Sequence, residues 1–205
     1  MQAILQARLP LNIAAVISNV PEAAGLSVAA QLGIATAVVD HRAYRDRAAF
    51  DAALQQKIDG YQPDLVVLAG FMRILGDEFV RHFQGRMINI HPSLLPAFAG
   101  LNTHARARAA GVKIHGCTVH FVTPQLDLGP IIIQAATAVL PDDTEATLST
   151  RVLQLEHKIY PQAVRWFAED RLTLQGELVM LRSDTAADAD TGTHAGILFA
   201  PPISD

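Results

Sequence analysis

A single cysteine, Cys117, stands in 205 residues, so no internal disulfide forms and no thiolate cluster can hold a metal. No apolar run reaches the roughly 18 residues a membrane span needs, because polar or charged residues interrupt each candidate. The start, Met1-Gln2-Ala3-Ile4-Leu5-Gln6-Ala7-Arg8, has neither a basic n-region nor a long apolar stretch and does not read as a secretory signal. Basic residues are scarce as well. Lys and Arg total 16 against 20 Asp and Glu, a formal charge of −4, which gives no support to a nucleic-acid or anionic-membrane surface. Charged residues make up 18% and apolar ones 50%, with a mean hydropathy of +0.23, which excludes a mostly disordered chain. The eight histidines contain no His-x-x-x-His or His-Glu-x-x-His pair, so no metal is expected. A one-domain cytoplasmic protein is the default these absences leave.

What is present is an alternation of short β-rich runs and helical patterns. Leu11 to Asn19 reads as a strand and Pro21 to Gly33 as a helix, with proline near its start and glycine at its stop. Ala35 to Asp40 reads as a strand, Arg47 to Tyr61 as a helix. The apolar run Asp64 to Gly70 fits a strand buried on both faces of a parallel sheet. A short helix, Asp77 to Phe83, leads to a strand from Met87 to His91. This alternation predicts βαβ units and an α/β fold. Beyond His91 the pattern changes to a loop, a helix from about Thr103 to Ala110, and two strands, His115 to Thr123 and Ile131 to Val139. The longest helical pattern runs from Thr144 to Asp170, and Leu172 to Leu181 reads as a small hairpin. From Ser183 onward Ala, Asp, Thr, Gly and Pro dominate, so 1–182 is expected as the folded domain and 183–205 as a flexible C-terminal tail.

The densest polar constellation is Asn89-Ile90-His91-Pro92-Ser93. Two residues apart on a strand, Asn89 and His91 project from one face, and Pro92 puts His91 at the strand's C-terminal end, where open α/β sheets place ligands. An amide beside an imidazole can polarise a carbonyl oxygen that becomes an oxyanion. A lone strand-ending histidine more often caps a loop; the Asn-x-His-Pro arrangement moves the balance toward function. Asp127 lies between Leu126 and Leu128 in the loop Pro124 to Pro130, as a solvated loop carboxylate or as partner to an imidazolium. Gly70-Phe71-Met72-Arg73-Ile74-Leu75 is either a packing loop or a wall for a flat aromatic ligand. His104, His115, His120 and His157 read as structural or surface histidines, and Cys117 as a buried thiol.

These residues carry a resemblance. Leu65 to Leu75, Asn89-Ile90-His91-Pro92-Ser93-Leu94-Leu95-Pro96, Gly116 to Val122 and Asp127-x-Gly129-Pro130 occur in the order of the phosphoribosylglycinamide formyltransferases, folate-dependent enzymes of purine synthesis, which the chain resembles from about Ala14 to Leu174. The resemblance implies a mostly parallel central sheet flanked by helices, Rossmann-like, and a one-carbon transfer from 10-formyltetrahydrofolate to the amine of 5-phosphoribosylglycinamide without a metal. It implies Asn89, His91 and Asp127 as the catalytic trio. Arg47, Met72, Arg73, Ile74, Leu75 and Asn89 would contact the folate, and Glu156, in Glu156-His157-x-x-Tyr160-Pro161, the ribonucleotide. Small molecules are the partners implied, with no nucleic acid and no membrane; a homodimer is left open.

The family's Gly-x-Gly-Ser-Asn phosphate loop does not occur in these 205 residues, and Met1 to Ala7 reads as the later half of the helix that would follow it. The first strand and its loop are therefore expected to be absent from the fold, with weak ribonucleotide binding as the consequence. Two alternatives remain: a formyltetrahydrofolate hydrolase, and an incomplete folate-binding relative without catalysis.

Overall fold

The computed structural model describes residues 1–182, 193–194 and 197–203. Helix α1 (Gln2–Gln6) precedes the parallel pair β1 (Val16–Ser18) and β2 (Thr36–Val38), joined through α2 (Ala24–Gln31). Helix α3 (Arg47–Asp59) leads to β3 (Val66–Leu68), and α4 (Asp77–His82) to β4 (Met87–His91), parallel to β3. After His91 the chain reverses its habit. Helix α5 (Thr103–Ala109) connects to β5 (Ile114–Phe121), antiparallel to β4, and β6 (Ile131–Ala138) is antiparallel to β5. Helix α6 (Glu145–Ala168) and the hairpin β7 (Leu172–Gln175) and β8 (Leu178–Leu181) follow. The α/β class thus holds, with the parallel pairs in the half of the chain where strands and helices alternate.

The strands before β4 are shorter than their apolar runs suggest. Of the run Leu11 to Asn19 only Val16–Ser18 is strand, because β2 offers partners to those three residues alone. Helix α2 starts at Ala24 rather than Pro21, with Ala23 in extended backbone as its N-cap. In contrast β4 has the expected bounds, since Pro92 lacks the N–H that would continue the ladder.

Beyond Ser183 the expected tail falls mostly on 183–192, 195–196 and 204–205, which lie outside the described residues. The described remainder corrects it in part. β9 (Thr193–His194) pairs with β10 (Ile197–Ala200), and β10 lies antiparallel to β6, so this segment extends the sheet. Phe199 is buried in the main core beside Ile133, Ala135 and α6, and that apolar burial is what draws the strand in.

The described strands form a six-stranded sheet in the order β3-β4-β5-β6-β10-β9, and β1-β2 stand apart as a separate pair. Among the described residues neither β1 nor β3 has a partner strand on its second edge. A cleft of about 550 Å³ lies beside β1 and β2, lined by Ile4, Leu5, Arg8, Asn12, Ile34 and Ala35 among others.

Two cores hold the layers. On one face of the sheet Ile88, Cys117, Val119, Phe121, Ile133 and Ala135 pack on Leu148, Val152, Leu155, Ile159 and Ala163 of α6. These helical positions recur at spacings of three and four, the stripe a surface helix turns inward. The helix starts at a reciprocal cap: Thr144 Oγ1 accepts the Thr147 N–H, and Thr147 Oγ1 accepts the Thr144 N–H. Tyr160, fully buried on α6, aims its hydroxyl at Leu68 O at 2.6 Å and Ile88 O at 3.1 Å, tying the helix to β3 and β4. The second core, Phe50, Leu54 and Ile58 of α3 with Phe79, Val80, Phe83 and Met87, covers the other face near β3.

Candidate active site

Because side chains alternate across a strand, Asn89 and His91 share the face that α6 does not cover. Across the β4–β5 ladder Asn89 stands opposite His120 and His91 opposite Thr118, and both partners are buried. His120 Nδ1 lies 2.9 Å from Phe121 O, a carbonyl that can only accept, so Nδ1 carries the hydrogen and Nε2 presents its lone pair. Asn89 Nδ2 donates to that Nε2 at 3.5 Å, which orients the amide. Burial pushes the His120 pKa below the usual imidazole value, keeping the ring neutral and able to accept.

His91 is buried and faces oxygen on both sides. Its Nε2 donates to Phe98 O at 3.2 Å, and its Nδ1 lies 3.5 Å from Asp127 Oδ2. Only the imidazolium can donate to both at once. Asp127 Oδ2 also accepts the Gly100 N–H at 2.8 Å, so one carboxylate oxygen joins His91 to the loop after β4. That loop carries three left-handed residues, Phe98, Gly100 and Asn102, and Asp127 itself sits at φ 55°. Non-glycine residues in that region store strain, which concentrates at sites whose geometry is held by their surroundings. Arg106 holds the same loop from below, donating to Ala99 O at 2.6 Å and Leu101 O at 3.3 Å. The Asp127 loop rejoins the sheet through Gly129, where a Cβ would collide with Phe121 O; glycine is required for that approach.

His104 and His115 lie behind the Phe98 loop, their rings edge to face at 5.3 Å with His115 Nε2 3.3 Å from His104 Nδ1. Burial, and secondarily the neighbouring imidazole, lowers the His115 pKa to about 4.

The residues expected at the folate occupy the segment between β3 and α4. Phe71 and Leu75 pack against the second core, whereas Met72 and Ile74 are 77% and 63% exposed. Leu126 and Leu128, flanking Asp127, are exposed as well. Exposed apolar side chains thus stand on the segment after β3 and on both sides of Asp127. Arg73 lies over the Phe50 ring at 5.4 Å, and Arg47 is exposed at the first turn of α3. Glu156 lies on α6, away from the face that carries His91. Burial raises its pKa to about 7, with the Met1 amino group opposing the shift. The structure therefore brings Asn89, His91 and Asp127 together, gathers Met72 to Leu75 beside the end of β4, and keeps Glu156 on another element.

His120, read from the sequence as a structural or surface histidine, is buried and orients Asn89. Its partner is 31 residues away, and the same strand carries His115 and Thr118, so nothing local sets His120 apart. Among the described residues no group of three or more His, Cys, Asp or Glu side chains is placed to hold a metal ion, and no helix is long and apolar enough to cross a membrane.

Comparison with known proteins gives the family. A family model described as formyl transferase matches residues 1–164. The chain is 48% identical over 178 residues to the phosphoribosylglycinamide formyltransferase of Escherichia coli (strain K12), covering 85% of this chain and 84% of that protein. The solved structure of the phosphoribosylglycinamide formyltransferase from Coxiella burnetii is 52% identical with a TM-score of 0.83, over 88% of this chain and 86% of that one. A formyltetrahydrofolate deformylase from Pseudomonas syringae is 31% identical with a TM-score of 0.81, over 89% of this chain but 62% of that one. The chain belongs to the formyl transferase family.

Proposed function

We propose that this chain transfers the formyl group of 10-formyltetrahydrofolate to the amine of 5-phosphoribosylglycinamide, in purine biosynthesis. The observation that carries the assignment is His91 set between Asn89 and the Asp127 carboxylate, 3.5 Å from its Nδ1, on the open face of the sheet. The folate supplies an activated one-carbon unit at the oxidation level of formate. His91 gives its Nε2 hydrogen, now bonded to Phe98 O, to the oxygen that turns anionic when the amine adds to the formyl carbon. Asn89, oriented by His120, gives the free hydrogen of its amide to the same oxygen. Asp127 faces the positive charge on the imidazolium and assists in moving a proton from the incoming amine to the departing nitrogen. Met72 to Leu75 and the flanks of Asp127 cover the pteridine, Arg47 and Arg73 supply cations at the rim, and Glu156, which does not share the His91 face, would meet the ribonucleotide away from its reacting amine. No step calls on a metal, and a cytoplasmic location fits small soluble substrates.

Hydrolysis of the donor by water is the competing reaction of this family. The 52% identity to a transferase structure against 31% to a deformylase favours the amine acceptor. The test is to incubate the chain with 10-formyltetrahydrofolate, with and without phosphoribosylglycinamide, and follow tetrahydrofolate release and formylated ribonucleotide. Release that needs the ribonucleotide supports transfer; equal release without it assigns a hydrolase.

A further inference from the structure

The exposed wall at Met72, Arg73 and Ile74 is held at its far end by a side chain that no part of the proposed chemistry uses. Asp51 lies on α3 and is 7% exposed. Its Oδ2 accepts the Gly76 N–H at 2.7 Å, where the wall segment enters α4. Its Oδ1 is buried and finds no hydrogen-bond partner among the described residues. A buried carboxylate with an orphaned oxygen is costly, and an apolar residue would fill the same space more cheaply. What an apolar residue could not do is fix one backbone amide at one point, because dispersion contacts are non-directional whereas a charge-assisted hydrogen bond has a set length and angle.

The contact is close from both sides. A Cβ on Gly76 would stand 2.9 Å from Asp51 Oδ2, so an alanine there would push the carboxylate out of its present position. One residue before Asp51, the Phe50 ring supports Arg73, and one turn before it stands Arg47. Phe50 and Asp51 follow Arg47 by three and four positions, so each neighbours it on the surface of α3. Helix α3 therefore meets the wall at its middle through Phe50 and at its end through Asp51.

We propose that Asp51 is a positioning residue for the folate: by holding Gly76, it sets where Met72 to Ile74 stand relative to Asn89 and His91. The proposal rests on the assignment of that segment as the folate wall. Asp51 touches neither substrate, and its effect is on folate affinity rather than on the chemical step.

The experiment compares the full chain with Asp51→Ala, Asp51→Asn, Gly76→Ala and Ile74→Ala. It reads tetrahydrofolate affinity by calorimetry, kcat and both KM values by steady-state assay, and Tm. Asp51→Ala is expected to weaken tetrahydrofolate binding by about tenfold with kcat at saturating folate little changed. Asp51→Asn keeps an acceptor for the Gly76 N–H and should recover most of that loss, while Gly76→Ala, which disturbs the same contact from the other partner, should reproduce it. Should Asp51→Ala fail to fold, Gly76→Ala and Asp51→Asn carry the test. Weaker binding in both Ile74→Ala and Asp51→Ala supports the proposal. Weaker binding in Ile74→Ala alone overturns the role of Asp51 and leaves the folate wall standing, whereas an effect in Asp51→Ala alone shows that it acts elsewhere and also overturns it. No effect in either overturns the wall together with the proposal. A fall in kcat, both affinities and Tm in proportion assigns Asp51 to general stability and overturns it as well.

Discussion

The ring of His91 faces Phe98 O through Nε2 and Asp127 Oδ2 through Nδ1, so the effects of its neighbours can be separated by substitution. Asp127→Asn keeps a carbonyl oxygen to accept the Gly100 N–H but loses the negative charge beside the imidazole. We expect kcat to fall about 10²–10³-fold, the size typical of removing one electrostatic stabiliser of an oxyanion, with tetrahydrofolate affinity within about threefold of the parent. Steady-state kinetics paired with calorimetry checks this; a kcat within a factor of a few would remove Asp127 from the catalytic set. His115 bears on stability instead. Its folded-state pKa of about 4 lies below the ordinary 6.5, so protons bind preferentially to the unfolded chain. The contribution is present above pH 6.5 and is lost as the pH falls toward 4. Glu156 works in the other direction: raised from 4.5 to about 7, it favours the folded state when protonated, and that contribution fades as the pH rises from 4.5 through 7. Urea denaturation of His115→Asn between pH 4 and 7 should therefore show a flatter acid limb than the parent. An unchanged slope would show that His115 does not carry it.

Elements meet at this site because strands of different origin end there. β3 and β4 run parallel and deliver the wall segment and His91 at their C-terminal ends, while β5 runs back past them and brings His120 opposite Asn89. The other end of the sheet relies on burial. β10 contributes Phe199 to the core shared with β6 and α6, and truncating a buried phenylalanine leaves a cavity as well as losing transfer energy. Phe199→Ala should destabilise the protein by about 3–5 kcal/mol in denaturant titration, with folate affinity unaffected because the residue lies on the α6 face. A loss under about 1 kcal/mol would show that β10 adds little to the fold.

At the scale of the molecule, the separation of β1-β2 from the six-stranded sheet bears on the ribonucleotide. A parallel strand ending in a glycine-rich turn at a helix N-terminus offers backbone amides and a dipole to a phosphate. The 205 residues contain no Gly-x-Gly-Ser-Asn turn. Weak ribonucleotide binding is expected of these 205 residues, and calorimetric titration with phosphoribosylglycinamide checks it; tight binding would mean that other residues hold the phosphate.

Much of this was legible from one dimension because its causes are local. The end of β4 follows from Pro92, the alternation of apolar runs and helical stripes gives the α/β class, and Thr144 announces the start of α6 through its own cap. Asn89 and His91 stand together because a strand has period two. Local pattern left Asp127 with two readings, a solvated carboxylate or a histidine's partner, and only the family resemblance chose between them, since 36 residues separate it from His91 and nothing local brings a loop back over the sheet. His120, Asp51 and β10 belong wholly to the tertiary structure. The first depends on the register of an antiparallel ladder. Asp51 depends on a backbone amide 25 residues away in a segment packed against α3. β10 depends on an open edge of β6 and one buried ring within a composition that reads as tail. Periodicity and capping act within a few residues and are written into the chain, whereas cross-strand pairing and half-buried charges exist only once distant segments have been packed together.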